Sequence, residues 1–285
     1  MPRVSVIIPV YNGDKYLEKT VRSVMDQDFR DFEILIVDDG STDNSRSIAL
    51  DLQKIDERIK VFEKKNTGVS NTRNYGMEQA RGEFVVFLDA DDVAGDGFLK
   101  SRFDALSQNE NVAVCGSAVG YINDEGKSVQ RPVELRAPGS HMLEEILFYK
   151  KGIATIPSNL MFRKGVLLEN NIRFDGRLSS TADRMFLCQI ARVSECVSLP
   201  QVNLFYRVHS GSMYHSLGNS KRIFKDNELF VKILINESIV PKQLMGEFLI
   251  KNYYMLCGAA AKAGYYLRSF FYGLKYGWAR LKYLK

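Results

Sequence analysis

Three short apolar runs, each followed directly by polar side chains, constrain the fold of this chain more than any other feature of its sequence. The runs and the residues that close them are 4–10 before Tyr11, 32–37 before Asp38, and 84–88 before Asp89. The first run is β-branched without strict alternation, which is typical of a parallel strand covered on both faces. Because ligands bind outside the carboxyl ends of strands in open α/β sheets, the closing residues are predicted to form one site.

Segments with helical spacing separate these runs. The first predicted helix covers 16–25, the second follows Ser41 or Thr42 and ends near Lys54, and the third covers 69–80. A further short strand is predicted over 59–62, between the second and third helices. Asp14 is the predicted cap of the first helix and Ser41 or Thr42 that of the second, because short polar side chains satisfy the free N–H groups at a helix start. This alternation predicts a doubly wound α/β fold with a Rossmann-like, largely parallel central sheet.

The pattern of the chain changes after residue 111. Shorter strands are predicted over 112–115, 119–122, 159–163 and 202–207. From about Leu217 the sequence is predicted to be helical, with interruptions near Pro241 and Gly264. We therefore expect one large domain over 1–216, divided into halves over 1–110 and 111–216, and a C-terminal helical extension over 217–285. A chain of 285 residues is long enough to bury a core of that size.

Cysteine usage and hydropathy restrict the compartment and the kind of site. Four cysteines are scattered without CxxC spacing, so reduced, mostly buried thiols are predicted rather than a zinc site or a disulfide framework. The N-terminus opens on an apolar strand without the features of a secretory signal, and no apolar run approaches the roughly 18 to 20 residues of a membrane-spanning helix. The sequence therefore predicts a cytoplasmic protein.

The densest chemical signal is the acidic cluster after the fourth predicted strand. Asp89, Asp91 and Asp92 place three carboxylates within four residues. Carboxylates this close repel one another, so the cluster needs either a cation or a well-solvated loop. Oxygen ligands suit Mg²⁺ or Mn²⁺, which commonly take one or two protein carboxylates and fill their other positions with phosphates and water.

Four motifs, in order along the chain, carry a resemblance to a known family. They are VSVIIPVYNG at 4–13, VDDGSTD at 37–43, NTGVSNTRNYG at 66–76 and FLDADD at 87–92. The chain resembles the family 2 glycosyltransferases of the GT-A fold over roughly residues 3 to 110, and more weakly through FYRVHSGSM at 205–213. The resemblance implies an inverting, nucleotide-sugar-dependent transferase, with a nucleotide-sugar and metal half over 1–110 and an acceptor half over 111–216.

The resemblance assigns roles to individual residues of the first half. The donor-binding residues that it implies are Pro9, Tyr11, Asp39, Arg73 and Asp89. Pro9 and Tyr11 are expected to shape a uracil pocket, with the tyrosine ring as a stacking face, and Asp39 to accept a hydrogen bond from the base, while Asp38 supports the loop. Arg73 is expected near the base and phosphates, where a guanidinium holds anionic oxygens in two directions.

The same resemblance implies a metal site and a catalytic base. The metal ligands for Mn²⁺ or Mg²⁺ are Asp91, Asp89 and His209, the last on a late loop together with Arg207. Asp183 occupies the place of the family's base, although Ala182 precedes it where a Glu-Asp pair is commoner. We expect Asp183 in the first turn of a helix, where the macrodipole favours its ionised form.

The rest of the chain bears on the acceptor and on partners. The QxxRW segment and the long membrane-spanning helices of processive synthases are missing from the sequence, so transfer of one sugar to a saccharide or lipid-linked saccharide is expected, in cell-surface polysaccharide or glycolipid synthesis.

Glu247 is the last acidic residue, and the basic, aromatic tail after it suits helices at the inner face of an anionic membrane. The alternative is a helical pair packed on the domain or on a partner chain, as in a homo-oligomer. No nucleic-acid-binding motif accompanies the tail.

Two rival functions remain open from the sequence. A nucleotidyltransferase would also use a Rossmann-like sheet and carboxylate-bound Mg²⁺, but the loop 11–15 is unlike a phosphate-cradling loop rich in Gly, Lys and Arg. A catalytically inactive nucleotide-sugar-binding scaffold is allowed by the unusual surroundings of Asp183. The rivals differ in a measurable product, since only the first releases pyrophosphate from UTP.

Overall fold

The computed structural model describes residues 1–130, 135–209 and 220–283. Its strands are β1 (Val4–Val10), β2 (Phe32–Asp38), β3 (Ile59–Glu63), β4 (Phe84–Phe87), β5 (Val93–Ala94), β6 (Val114–Ile122), β7 (Leu135–Arg136), β8 (Leu160–Arg163) and β9 (Cys196–Arg207). Its α-helices are α1 (Leu17–Met25), α2 (Ser45–Ile55), α3 (Val69–Gln79), α4 (Phe98–Gln108), α5 (Met142–Leu147), α6 (Lys164–Glu169), α7 (Ala182–Ile190), α8 (Ser220–Asn236), α9 (Met245–Lys262) and α10 (Tyr266–Tyr283).

One twisted sheet organises the chain. Its strand order is β3-β2-β1-β4-β8-β6-β9-β5, with β7 paired to β6. The first four strands are parallel, β8 is antiparallel to both of its neighbours, and β6 and β9 are again parallel. The order reverses beside β1, so the carboxyl ends of β1, β2 and β4 open into one crevice. The predicted α/β class, with a Rossmann-like sheet and C-terminal helices, is confirmed.

The second half of the sheet departs from the predicted boundaries. The two strands expected over 112–115 and 119–122 form the single strand β6, whose pairing with β9 shifts register on either side of Ala118. Gly116 and Ser117 look like a break in the sequence, yet both lie inside β6. Glycine is required at 116 because a Cβ there would clash with Leu160 of β8. β9 likewise begins at Cys196 and contains Pro200, a residue that normally argues against a strand interior.

The predicted helix caps are wrong. Helix α1 begins at Leu17 and α2 at Ser45, their N-cap residues Tyr16 and Asn44 make no side-chain capping bond, and the first N–H of α2 is accepted by Asp43 Oδ1 (2.9 Å). Ser41 and Thr42 instead join the β2–α2 loop to the β1–α1 loop, because Asn12 donates its backbone N–H to Ser41 Oγ (3.0 Å) and accepts one from Thr42 N (2.8 Å). The polar side chains that resemble caps therefore hold together two loops of the crevice.

The C-terminal helices pack against the sheet domain. Phe87 of β4 and Phe186 of α7 belong to the same buried cluster as Phe224 of α8 and Phe248 of α9. Breaks between the helices fall beside Pro241 and Gly264, as predicted. Across the described ranges, no helix is long and apolar enough to cross a membrane. The functional boundary near residue 216 stays a prediction, and residue 216 lies outside the described residues.

A buried arginine ties together the strands of the acceptor half. Arg102 of α4 is fully buried and donates to the carbonyl and side-chain oxygens of Asn159 (3.1 and 3.0 Å), to Asn203 Oδ1 (2.7 Å) and to Ser117 Oγ (2.8 Å). Burial lowers the pKa of this guanidinium to about 10. It thus links α4 to β6, β9 and the segment before β8.

Replacing Arg102 by methionine is expected to destabilise the fold by about 3 to 5 kcal/mol. The substitution keeps the length of the side chain but leaves several buried oxygens without a donor, at about 1 to 3 kcal/mol each. Urea unfolding followed by circular dichroism measures the loss. The matched control is Arg22→Met on the surface of α1, where we expect less than about 0.5 kcal/mol. Equal unfolding free energies for the two variants would contradict this account.

Candidate functional site

A cleft of about 680 Å³ lies at the carboxyl ends of β1, β2 and β4. All the predicted donor and metal residues line it: Pro9, Tyr11, Asp39, Arg73, Asp89, Asp91 and His209. Tyr11 leaves 53% of its surface exposed, so its ring is available for a flat ligand to stack on. The structure thus brings together residues that lie up to 200 positions apart in the chain.

Asp39 organises the wall of the cleft that precedes α3. Its buried carboxylate accepts the backbone N–H groups of Thr67 (3.0 Å) and Gly68 (2.9 Å) and pairs with the ammonium group of Lys64. Gly68 has a φ of 88°, a backbone conformation that suits glycine. The predicted contact of Asp39 with a base stays a prediction. Lys64 is a site residue that the sequence reasoning missed, since its motif begins two residues later.

Arg73 connects two carboxylates from different parts of the chain. Its Nη1 lies 2.6 Å from Asp183 Oδ1 and its Nη2 lies 2.6 Å from Asp89 Oδ1, while Nε has no hydrogen-bond partner among the described residues. The guanidinium is buried and lies 5.0 Å from the ring of Phe174. Burial acts to lower the pKa of Arg73, but the charges of Asp89 and Asp183 outweigh it and raise the pKa. Arg73 therefore positions these two carboxylates, a role that its sequence motif did not indicate.

Asp183 lies in the first turn of α7, as predicted. Burial raises its pKa, the charge of Arg73 acts in the opposite direction, and the charge of Asp89 adds to the increase. The expected preference of the helix N-terminus for the ionised form is therefore outweighed by desolvation. Oδ1 is paired with Arg73, whereas Oδ2 has no hydrogen bond within the described ranges. A carboxylate with one held oxygen and one open oxygen is suited to receive a proton.

The acidic cluster divides into an open and a buried part. Asp91 Oδ2 lies 2.9 Å from His209 Nε2 on the cleft wall. Burial and the charge of Asp89 raise the pKa of Asp91, and His209 offsets part of this. Asp92 is buried and accepts the backbone N–H of Arg207 (3.1 Å) through Oδ1, and in the part of the chain that the structure describes its Oδ2 has no partner. Burial and the charges of its acidic neighbours raise the pKa of Asp92 well above the usual range.

The open part of the cluster fits a divalent cation held partly by substrate. Asp91 and His209 offer one carboxylate oxygen and one imidazole nitrogen that already point at each other. Within the described ranges, no group of three or more His, Cys, Asp or Glu side chains could hold a metal ion. Two protein ligands match Mg²⁺ or Mn²⁺ sites in which phosphates and water complete the coordination.

Arg207 does not line the cleft, contrary to the role that its motif implied. It is buried, and its guanidinium donates to the carbonyl oxygens of Asp91 (2.8 Å) and Asn123 (2.8 Å). The ring of Tyr16 lies between Arg207 and His209, with centroid distances of 4.8 and 4.9 Å. Arg207 and Tyr16 therefore fix the positions of Asp91 and His209. The sequence pattern indicates Tyr16 only as a helix residue, because no local pattern reveals its contact with His209.

An α/β sheet with a reversal beside β1 and an acidic cluster at that crevice is the arrangement of the GT-A class of protein. A family model described as Glycosyl transferase family 2 matches residues 5–169. The chain belongs to this family.

Two curated relatives and one solved structure show how far the likeness extends. The chain is 28% identical over 218 residues to a putative glycosyltransferase, EpsH, of Bacillus subtilis, covering 74% of this chain and 62% of EpsH. It is 46% identical over 144 residues to the GalNAc(5)-diNAcBac-PP-undecaprenol beta-1,3-glucosyltransferase of Campylobacter jejuni, covering 47% of this chain and 46% of that protein. The chain therefore spans less than two thirds of either relative.

The fold is shared with TarS of S. aureus. The structure of its residues 1–349 in complex with UDP-GlcNAc superposes with a TM-score of 0.68 at 21% identity, covering 96% of this chain and 92% of that one. At this level of identity the comparison establishes a common fold.

Proposed function

We propose that this chain transfers a single sugar, with inversion, from a nucleotide-sugar to an acceptor hydroxyl. The observation that carries the proposal is the bridge from Asp89 through Arg73 to Asp183, which joins the donor cleft to a carboxylate with one open oxygen. A UDP-sugar is the proposed donor. The motifs at 4–13 and 37–43 support this choice, and so does the UDP-GlcNAc bound in the TarS structure.

Asp183 is the proposed base. The acceptor oxygen attacks the anomeric carbon from the face opposite the nucleoside diphosphate, the bond from carbon to phosphate oxygen breaks, and the hydroxyl proton passes to Asp183 Oδ2. A carboxylic acid is far more acidic than an alcohol, so proton transfer accompanies carbon–oxygen bond formation. The raised pKa of Asp183 brings its basicity closer to that required near neutral pH. Arg73 keeps the carboxylate oriented through Oδ1.

The departing diphosphate gains negative charge, and the cleft offers residues that would hold a counter-ion. Asp91 and His209 are the proposed ligands of Mn²⁺ or Mg²⁺, with Asp89 beside them. When bound, such an ion offsets the charge on the phosphate oxygens without any proton transfer. Arg207 and Tyr16 keep the two ligands in place.

The proposed acceptor is a saccharide or lipid-linked saccharide of cell-surface polysaccharide or glycolipid synthesis. The Campylobacter relative, which matches 46% of its length, is named for an undecaprenol diphosphate-linked acceptor.

Donor binding and slow hydrolysis test the proposed function. We expect calorimetry with Mn²⁺ to detect binding of UDP in preference to GDP and dTDP, and purified protein to release UDP slowly from at least one UDP-sugar. Release of pyrophosphate from UTP would instead indicate a nucleotidyltransferase. Donor binding without any UDP release over a panel of UDP-sugars would indicate an inactive scaffold.

The exposed face of α10 supports a peripheral position at the inner face of a membrane. Six large apolar residues recur at intervals of one, three and four: Leu267, Phe270, Phe271, Leu274, Trp278 and Leu281. Each of them leaves more than half of its surface exposed. The helix contains no acidic residue, and Lys275 and Lys282 lie over the rings of Phe271 (4.6 Å) and Trp278 (4.7 Å). An apolar stripe flanked by cations suits an anionic bilayer surface.

Phe270→Ser combined with Trp278→Ser is expected to weaken binding to phosphatidylglycerol vesicles at least about 100-fold. Each aromatic side chain contributes roughly 1.5 kcal/mol or more when it is removed from water. Sedimentation with vesicles measures the partition. The control, Ile55→Ser with Val193→Ser, removes exposed apolar side chains at the end of α2 and in the turn after α7, and should leave the partition unchanged. The membrane proposal would be contradicted if the wild-type protein did not bind vesicles but formed a dimer in light scattering, and if the Phe270→Ser, Trp278→Ser variant were a monomer.

A further inference from the structure

A buried carboxylate of α8, that of Asp226, accepts four hydrogen bonds from one short loop. Its Oδ1 accepts the backbone N–H of Ser179 (2.7 Å). Its Oδ2 accepts the backbone N–H of Thr181 (2.9 Å), the hydroxyl of Thr181 (2.9 Å) and the hydroxyl of Ser180 (2.7 Å). Both oxygens are therefore committed to the loop 179–181, which leads directly into the first turn of α7.

The same helix also holds the chain on the other side of Asp183. The guanidinium carbon of Arg184 lies 4.6 Å from the centroid of the Phe230 ring. Asp226 and Phe230 are four residues apart on α8, so they share one face of that helix. The residues before and after Asp183 are thus both in contact with this face of α8.

Asp183 depends on its backbone position because its side chain is fixed at one oxygen. Oδ1 lies 2.6 Å from Arg73 Nη1, so the direction of Oδ2 follows from where the backbone of α7 begins. A misplacement of about 1 Å at a reacting group can cost about 100-fold in rate. The loop 179–181 contains only small polar residues, and its packing alone offers little to fix that position.

We propose that Asp226 is a positioning residue for the transfer reaction: it acts through the loop 179–181 to hold Asp183 where Oδ2 receives the proton. The inference rests on the proposed transferase function and adds α8 to the parts that support its site. Burial of a carboxylate is costly unless it is hydrogen-bonded. A helix that only covered the core would need Phe224 and Phe230 but no buried charge beside them.

Asp226→Asn tests the proposal with little change in shape. An amide accepts through its oxygen and donates through its nitrogen, so one of the two backbone N–H groups, that of Ser179 or that of Thr181, loses its acceptor. Water serves as the acceptor in the assay. We expect kcat for UDP release, from the UDP-sugar that the wild type hydrolyses fastest, to fall at least about tenfold. UDP affinity in calorimetry should stay within about twofold, because the donor cleft is untouched.

The matched control is Glu228→Gln on the same helix. Glu228 accepts the hydroxyl of Tyr272 (2.7 Å) and pairs with Arg268 (3.1 Å), so this change also removes a hydrogen-bonded charge from α8 but leaves the loop alone. Thr181→Val removes one of the four bonds from the loop side and should lower kcat with a smaller effect on folding. Combined with Asp226→Asn, it should lower kcat by less than the product of the two separate factors, because the two side chains are in contact.

Hydrogen exchange measures the hold on the loop independently of catalysis. Amides over 179–185 should exchange at least about tenfold faster in Asp226→Asn than in the wild type, and at the wild-type rate in Glu228→Gln. Unchanged exchange in Asp226→Asn, or a kcat no lower than that of Glu228→Gln, would overturn the proposal. Wild-type protein that releases no UDP from any UDP-sugar would refute the transferase function itself, and the role of Asp226 with it.

Discussion

Asp183→Asn is expected to lower the rate of sugar transfer by about 10² to 10⁴-fold while leaving UDP affinity within about twofold. That range is the usual contribution of a positioned general base. The amide cannot accept the proton of the acceptor hydroxyl, but its oxygen can still accept the hydrogen bond from Arg73 Nη1. The donor cleft should therefore keep its shape. Radiolabelled sugar transfer and calorimetric UDP binding, measured on the same preparation, provide the two numbers.

The arginine bridge requires a control for stability. Arg73 is buried, and it loses one of its two counter-charges when Asp183 becomes neutral. Some lowering of the melting temperature is expected from this, so both activities are measured well below the transition. Asp51→Asn, the same chemical change on the surface of α2, should leave rate, affinity and melting temperature unchanged. Full turnover by Asp183→Asn would contradict the role of Asp183 as base.

Much of the donor half could be predicted because residues close together in the sequence determine where its strands and helices begin and end. Apolar runs end where strands end, and parallel strands that end at one sheet edge must place residues such as Tyr11, Asp39 and Asp89 together. The placement of Asp183 in the first turn of α7 also follows from local periodicity. Short-range pattern and one topological rule therefore account for most of the cleft.

What the sequence could not reveal depends on long-range contacts. The two partners of Arg73 lie 16 and 110 positions away, and no local pattern distinguishes a bridging arginine from one that binds phosphate. Ser41 and Thr42 were mistaken for caps because their true partner, Asn12, lies about 30 residues earlier.

The direction of the Asp183 pKa shift shows why position alone is a poor guide to charge. The helix start favours an anion by a few tenths of a kcal/mol up to about 1 kcal/mol. Burial of a carboxylate costs more, and here it raises the pKa in spite of the neighbouring Arg73. The degree of burial emerges only from tertiary packing, so sequence reasoning predicted the position of Asp183 on α7 and the wrong balance of forces on its charge.

Asp91→Ala is expected to abolish the Mn²⁺-dependent part of UDP binding, a loss of roughly 100-fold. Loss of residues that merely support a metal ligand costs about 10 to 100-fold in metal affinity, and removal of a ligand should cost no less. His209 would then face the ion with only Asp89 beside it, a carboxylate that Arg73 already holds, since Asp92 is buried and paired with the Arg207 backbone. Calorimetric titration of UDP with Mn²⁺ and with EDTA isolates the metal-dependent part.

Two effects of Asp91→Ala have to be separated, the loss of a metal ligand and any change in the shape of the cleft. Asp96→Ala removes an exposed carboxylate five residues further along and should keep the Mn²⁺ effect intact. Asp91→Ala removes the partner of His209, so melting temperatures are compared to show that the late loop keeps its packing against Tyr16. With EDTA, the variant and the wild type should bind UDP equally weakly, because the base pocket is untouched. Equal UDP affinity of the two proteins in Mn²⁺ would instead mean that Asp91 holds no ion, and that the diphosphate charge is balanced by other residues of the cleft.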